Sequence, residues 1–125
     1  MRDERGSAAV EFALIIPVFI SILFGVMQFG YVLVVQNSMT NAAREGARAM
    51  AIQQATTEDG VAMVRSALER WSVEFDVEAE TQMDPAGRNE VSVVVSLPLS
   101  EIAFGDYLGV FAGRRIETVA SMLQD

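Results

Sequence analysis

At 125 residues and a formal net charge of −8 at pH 7, the chain has room for one membrane-spanning helix and one small domain. It contains no Cys and no His, which excludes disulfides and thiolate chemistry and removes the commonest general base and metal ligand. All nine cations are Arg and none form a basic run, which argues against a nucleic-acid partner.

A charged leader, Met1 to Gly6, precedes an apolar run from Phe12 to Val35. Arg2 and Arg5 balance Asp3 and Glu4 there, so the negative charge belongs to the rest of the chain. The run is about 24 residues, or roughly 36 Å as a helix, which exceeds the ~20 residues needed to span a bilayer core. A cleaved secretory signal has a shorter apolar core of ~7–15 residues that ends at small residues. Here Gln36-Asn37-Ser38-Met39 follows directly, so residues 7–35 are expected to form a retained transmembrane helix. Arg2 and Arg5 flank its N-terminal side and no charge follows until Arg44, which predicts a cytoplasmic N-terminus and an exported domain. Glu11 stands at the mouth of the run. A carboxylate costs a few kcal/mol at mid-membrane and less at the edge, so Glu11 needs a headgroup-level position or a cationic partner.

Inside the run, Pro17 removes one helix hydrogen bond and strands the carbonyl of Ala13. That is either a tolerated membrane proline or a deliberate flexible point. Pro17, Ser21, Gly25 and Gln28 fall within about a third of the helix circumference. A stripe of small and polar groups is how membrane helices pack, with Gln28 expected to bond a neighbouring helix.

Helical character continues past the apolar run. Met39, Ala42, Ala43, Gly46, Ala47 and Met50 recur every three to four residues, which predicts a helical stalk over 36–55. A single helix would then run from about Ala8 to about Gln53, on the order of 65–70 Å, with a small-residue seam for a domain to approach. Arg44 and Arg48 lie one turn apart beside Glu45. They are a solvated face, a fork for the acids of a strand in the same domain, or a fork for the acids of a partner.

Thr56 and Asp59 are spaced as a capping box, and Val61, Val64, Leu68 and Trp71 follow as one apolar stripe, predicting a helix over 57–71. The period then becomes two. Val73, Phe75, Val77 and Ala79 alternate with Glu74, Asp76, Glu78 and Glu80, which predicts a strand over 73–80. The four acids form a flat row about 7 Å apart without the looped cage that Ca²⁺ requires, so no metal is expected. Asp84-Pro85-Ala86-Gly87 is a turn, residues 90–97 form a second strand, and 115–123 a third. Between the last two, Leu99 to Phe111 is irregular and apolar, either a lid over the core or an exposed contact surface. The fold class is therefore α+β: a long N-terminal transmembrane helix continuing into a small domain with a second helix and a three-stranded antiparallel sheet.

Gly6 followed five residues later by Glu11 and an apolar helix is the layout of a prepilin leader. On that reading, a membrane aspartyl protease cuts after Gly6 and frees the α-amine of Ser7, whose pKa is about 8. Glu11 of one subunit then neutralises the new amine of its neighbour, favourably in a low-dielectric bundle if both groups are satisfied. On the other reading, Gly6 merely precedes the helix and Glu11 sits among headgroups. Spacing alone leaves both open.

The segment Arg5-Gly-Ser-Ala-Ala-Val-Glu-Phe12, the apolar run and the block Asn41, Ala42, Ala43, Arg44, Glu45, Gly46, Ala47, Arg48 together resemble the TadE family of pseudopilins. That family belongs to the tight-adherence (Tad, or Flp) pilus machinery of bacteria. The C-terminal part is similar as well, in Val91 to Val95, the Leu97-Pro98 break and the strand from Ile116, so the resemblance extends over nearly the whole chain. One departure is Glu11-Phe12, where pilins of this system commonly carry Glu-Tyr. The resemblance implies a pilin-like fold, processing after Gly6 by a prepilin peptidase, and no enzymatic activity, cofactor or small-molecule substrate. It implies a minor subunit that assists or primes pilus assembly beside the major Flp pilin, other pseudopilins, an inner-membrane platform, an ATPase and a secretin. Its expected location is the inner membrane, single-pass. The competing expectation is an uncleaved, signal-anchored envelope protein serving as a static scaffold. A membrane-tethered enzyme is disfavoured by the missing His and Cys.

Overall fold

The computed structural model describes residues 4–52, 55–103 and 113–124. Helix α1 runs unbroken from Glu4 to Ile52, 49 residues with Pro17 inside it. At 1.5 Å per residue its length is about 73 Å. It begins before the expected Ala8 because no breaker stands ahead of it, and Gly6 inside a helix costs only about 1 kcal/mol. At the proline, Ser21 Oγ donates to the carbonyl of Pro17 at 2.7 Å, a bond back onto the preceding turn.

Helix α2 spans Thr57–Ala67 and starts on the expected capping box. The Asp59 amide donates to Thr56 Oγ1 at 3.2 Å, and the Thr56 amide donates to the Asp59 carboxylate at 3.2 Å. Where a helix to Trp71 was expected, α2 ends at Ala67 and residues 68–70 form a turn. The Glu69 amide reaches back to Ser66 O at 3.3 Å and the Trp71 amide to Leu68 O at 3.1 Å, which tightens the chain toward the sheet.

Strands β1 (Asp76–Met83), β2 (Asn89–Pro98) and β3 (Arg115–Leu123) form an antiparallel sheet in the order β1-β2-β3. The arrangement is the expected α+β one. β1 begins at Asp76, three residues after the alternation does. Asp76 pairs with Ser96, so extending the ladder would set Glu74 opposite Pro98, which has no N–H to offer. At its other end β1 runs on to Met83, carried by pairing with Val91, Glu90 and Asn89 rather than by its own pattern.

α1 lies across one face of this sheet. Val35, Met39, Ala42, Ala43, Ala47 and Met50 pack there with Val91, Val93, Val95 and Leu97 of the central strand. Val64 of α2 and Leu68 just past its end join the same core, with Phe75, Val77, Ile102 and Ala120. The small-residue seam has a geometric cause. A Cβ placed on Gly46 would stand 2.5 Å from Val64 Cγ2 and 3.3 Å from the carbonyl of Gly60, so α1 and α2 cross at contact distance. A Cβ on Gly60 would collide with Met50 Sδ. Residues 53 and 54 at the predicted stalk end lie outside the described residues. So do Met1 to Asp3 of the leader and 104–112 of the apolar connection, with its Phe104, Tyr107, Leu108, Val110 and Phe111.

Candidate functional site

Four contacts fix the domain against α1, from one end to the other. Gln28 Nε2 donates to the carbonyl of Ile102 at 3.0 Å. Tyr31 meets Trp71 edge to face, ring centroids 5.9 Å apart. The hydroxyls of Thr40 and Thr118 lie 2.9 Å apart. Gln124 Nε2 donates to Met50 O at 3.4 Å. Thr40 Oγ1 also bonds Gln36 O at 2.9 Å, so its single proton goes there and Thr118 is the donor between the two threonines. The domain thus covers α1 only from Gln28 upward, with the β1–β2 turn at the end remote from Gln28.

Below Gln28 the helix is bare. Every residue from Gly6 to Met27 is exposed, including Phe12, Ile15, Phe19, Leu23 and Met27, each at least 53 %. The most apolar window has a mean hydropathy of 2.4 and none of it is covered by the rest of the chain, which makes this helix long and apolar enough to cross a membrane. The bare length is about 33 Å against a hydrocarbon core of ~30 Å. Within the expected 7–35 span, therefore, Gln28, Tyr31, Val32 and Val35 are engaged by the domain, whereas Phe29, Leu33 and Val34 stay exposed on the other face.

The predicted residues divide accordingly. Gly6, Ser7 and Glu11 are exposed on the first turns of α1. Pro17, Ser21 and Gly25 are exposed on the bare segment, and a Cβ on Gly25 would meet nothing within 4 Å. Gln28 is buried, 8 % exposed, and its amide donates to the carbonyl of Ile102 in its own domain. Its position, the residue after Met27, puts it under the domain's edge, where an unsatisfied amide would be costly. Of the block 41–48, Ala42, Ala43, Gly46 and Ala47 are buried in the crossing with α2 and the sheet, whereas Asn41, Arg44, Glu45 and Arg48 are exposed.

Of the three readings of Arg44 and Arg48, the fork within the domain is not formed among the described residues. Among the described residues neither Arg44 nor Arg48 makes an ion pair, and Asp76 is held instead by Arg115, which also donates to Ser96 Oγ at 3.1 Å. The reason is layering: α1 lies on the inner face of the sheet, and Asp76, Glu78 and Glu80 project from the outer one.

Sequence reasoning missed the junction formed by Tyr31, Trp71 and Ile102, and the Thr40–Thr118 bond. Trp71 was visible only as the last member of an apolar stripe. Its indole Nε1 is buried without an acceptor, and the Arg70 guanidinium lies 5.7 Å from its ring centroid. A shallow depression between α2 and β1, lined by Arg65, Leu68, Glu69, Trp71, Glu74 and Asp76, opens to solvent beside it. Among the described residues no three acids converge as metal ligands would.

A protein-family model described as TadE-like protein matches residues 6–48. The matched stretch is α1 from Gly6 to Arg48: the bare segment, the junction and the buried small-residue seam. The match suggests involvement in a Tad pilus system, and with the apolar helix it supports a pilus-related membrane protein. No curated protein and no solved structure matches the chain.

Proposed function

We propose that this chain, whose residues 6–48 match the TadE-like family, is a minor pilin-like subunit that assists or primes assembly of a Tad-type pilus. It stands in the inner membrane on residues 6–27, with a cytoplasmic N-terminus and its domain on the exported side. It performs no catalysis. The observation that carries this reading is a matched helix that is apolar and wholly uncovered below Gln28, ready to exchange lipid for other helices. Such an exchange gains little from the hydrophobic effect, since lipid is as apolar as Leu, so small and polar surfaces decide it. Pro17, Ser21 and Gly25 provide one.

A prepilin peptidase cuts after Gly6, and Glu11 receives the new Ser7 amine of an adjacent subunit. The neighbours are the major Flp pilin, other pseudopilins and the inner-membrane platform that lifts subunits from the bilayer. The test is complementation of a deletion strain, with pili counted in the sheared fraction. Wild-type chain restores pili, while Glu11→Ala inserts in the membrane normally and lowers pilus yield at least about tenfold, the scale of one lost ion pair in a low-dielectric bundle. A static scaffold, the competing reading, tolerates Glu11→Ala with full yield.

A further inference from the structure

Two exposed surfaces on opposite sides of the domain carry opposite charge. The outer face of the sheet presents Glu78 and Glu80 from β1 and Glu117 from β3, around an apolar strip of Val94, Val119 and Leu123, the last two 60 % and 45 % exposed. Glu80 accepts one bond from Gln82 Nε2 at 2.8 Å, and among the described residues no cation pairs with Glu78, Glu80 or Glu117. The exposed stripe of α1 presents Arg44 and Arg48, likewise unpaired, beside the exposed Glu45, a net positive patch, with Ile52 beyond them at 66 % exposed.

The two surfaces also stand at one height along α1. Thr118 is level with Thr40, and Gln124 with Met50. Ala120, between them, pairs with Val93, which pairs with Ala79. At its β3 end this rung falls between the levels of Thr40 and Met50, the interval of α1 that holds Arg44 and Arg48, and Glu78 and Glu80 flank its β1 end. Leu123, next to Gln124, and Ile52, two residues past Met50, both belong to the upper end.

We infer that the sheet's outer face and the Arg44–Arg48 stripe of α1 are the two halves of one head-to-tail contact between copies of this chain. Glu78 and Glu80 of one copy meet Arg44 and Arg48 of the next, and Val119 and Leu123 meet Ile52. The inference rests on the membrane-anchored reading above, because matched heights matter only when both copies stand the same way up. Layering within the chain keeps these charges apart, so a second copy is what brings them together. At a net charge of −8, copies repel in orientations that do not oppose unlike patches. Each exposed ion pair contributes little, but a shared membrane raises the effective concentration of the partner surface. Because the two patches lie on opposite sides, the contact is heterologous and propagates instead of closing as a two-fold dimer.

The chain has no native Cys, which makes cross-linking clean. Two separately tagged full-length copies, one Arg48→Cys and one Glu78→Cys, are co-expressed in membranes of a peptidase-free strain. They are treated with a short bismaleimide, because an Arg–Glu pair holds its Cβ atoms further apart than the ~4 Å a disulfide bridges. The contact predicts a mixed dimer that neither variant forms alone. It further predicts that Arg44→Glu in the first copy lowers the yield about twofold to fivefold, and that Glu80→Arg in the second restores it. Absence of the mixed dimer, equal yield from Arg48→Cys alone, or failure of the charge swap to restore yield would each overturn the contact. Such a result alongside normal Ser7 processing in a peptidase-positive strain removes this contact and leaves the pilin-like reading standing.

Discussion

Asp84 organises the β1–β2 turn by itself. Its Oδ1 accepts the amides of Ala86 and Arg88 at 2.9 and 2.8 Å, and its Oδ2 takes a two-pronged bond from the Arg88 guanidinium at 3.0 and 2.9 Å. Gly87, at φ 79°, supplies the left-handed residue that lets the chain return. The Arg88 amide foremost holds the Asp84 carboxyl below its ordinary 3.8; burial, the next largest effect, opposes it, and the Arg88 guanidinium and the amides of Ala86 and Gly87 add to the lowering. A carboxylate whose folded value is depressed stabilises the fold above its unfolded value and loses that contribution as pH falls through the folded one. The turn is thus at full strength at neutral pH and weakens below pH 3.8. In melts of the full chain in detergent from pH 7 down to about pH 3, Asp84→Asn is the less stable protein at pH 7 and the gap narrows as Asp84 protonates. A gap that stays constant over that range would show that the carboxylate charge does not hold the turn. Other residues are likewise defined by what they bond. Gln28 reads as a membrane hydrogen-bonder from its stripe, yet Ile102, 74 positions away, accepts its amide.

At the scale of elements, the crossing of α1 and α2 is the tightest joint in the domain. Gly46→Ala drives a methyl against Val64, a β-branched side chain with one preferred rotamer, and against the Gly60 carbonyl behind it. Neither yields easily, so the substitution should destabilise the domain by about 1–3 kcal/mol. For a domain of this size 1 kcal/mol moves the melting point by roughly 4–8 °C, well within reach of a thermal melt in detergent. Gly25→Ala is the control, because nothing lies within 4 Å of its Cβ, and it should leave the domain melt unchanged. Equal melts for the two variants would mean that α2 can back away from α1.

The same joint explains what was legible in the chain. Apolar length and small residues every three to four positions leave one-dimensional marks, so α1, its seam and the capping box at Thr56 could be read directly. The alternation of Val91, Val93, Val95 and Leu97 marked β2 equally well. The start of β1 could not be read, because Pro98 on the neighbouring strand sets it. Nor could the point where the domain first meets α1: Val32 and Val35 are as apolar as Phe19 and differ only in having a domain against them. Whether Arg44 and Arg48 fork onto their own sheet could not be read, because strand alternation separates the faces of a sheet without telling which one the helix covers.

Taken whole, the molecule is a bare apolar helix about as long as a bilayer core is thick, joined at Gln28 to a domain that covers one face of the rest of α1 and leaves Arg44, Arg48 and Ile52 exposed on the other. The match to the TadE-like family falls on the helix, including its uncovered part, and ends at Arg48, still within α1 and ahead of the domain's second helix and sheet. A static anchor and a pilin-like subunit share that shape and differ in the fate of the first six residues. The intact mass of the chain from native membranes, with and without the prepilin peptidase, separates them most directly. The account predicts a chain beginning at Ser7 when the peptidase is present and the unprocessed N-terminus when it is absent. A chain that keeps residues ahead of Ser7 in the presence of active peptidase would contradict it.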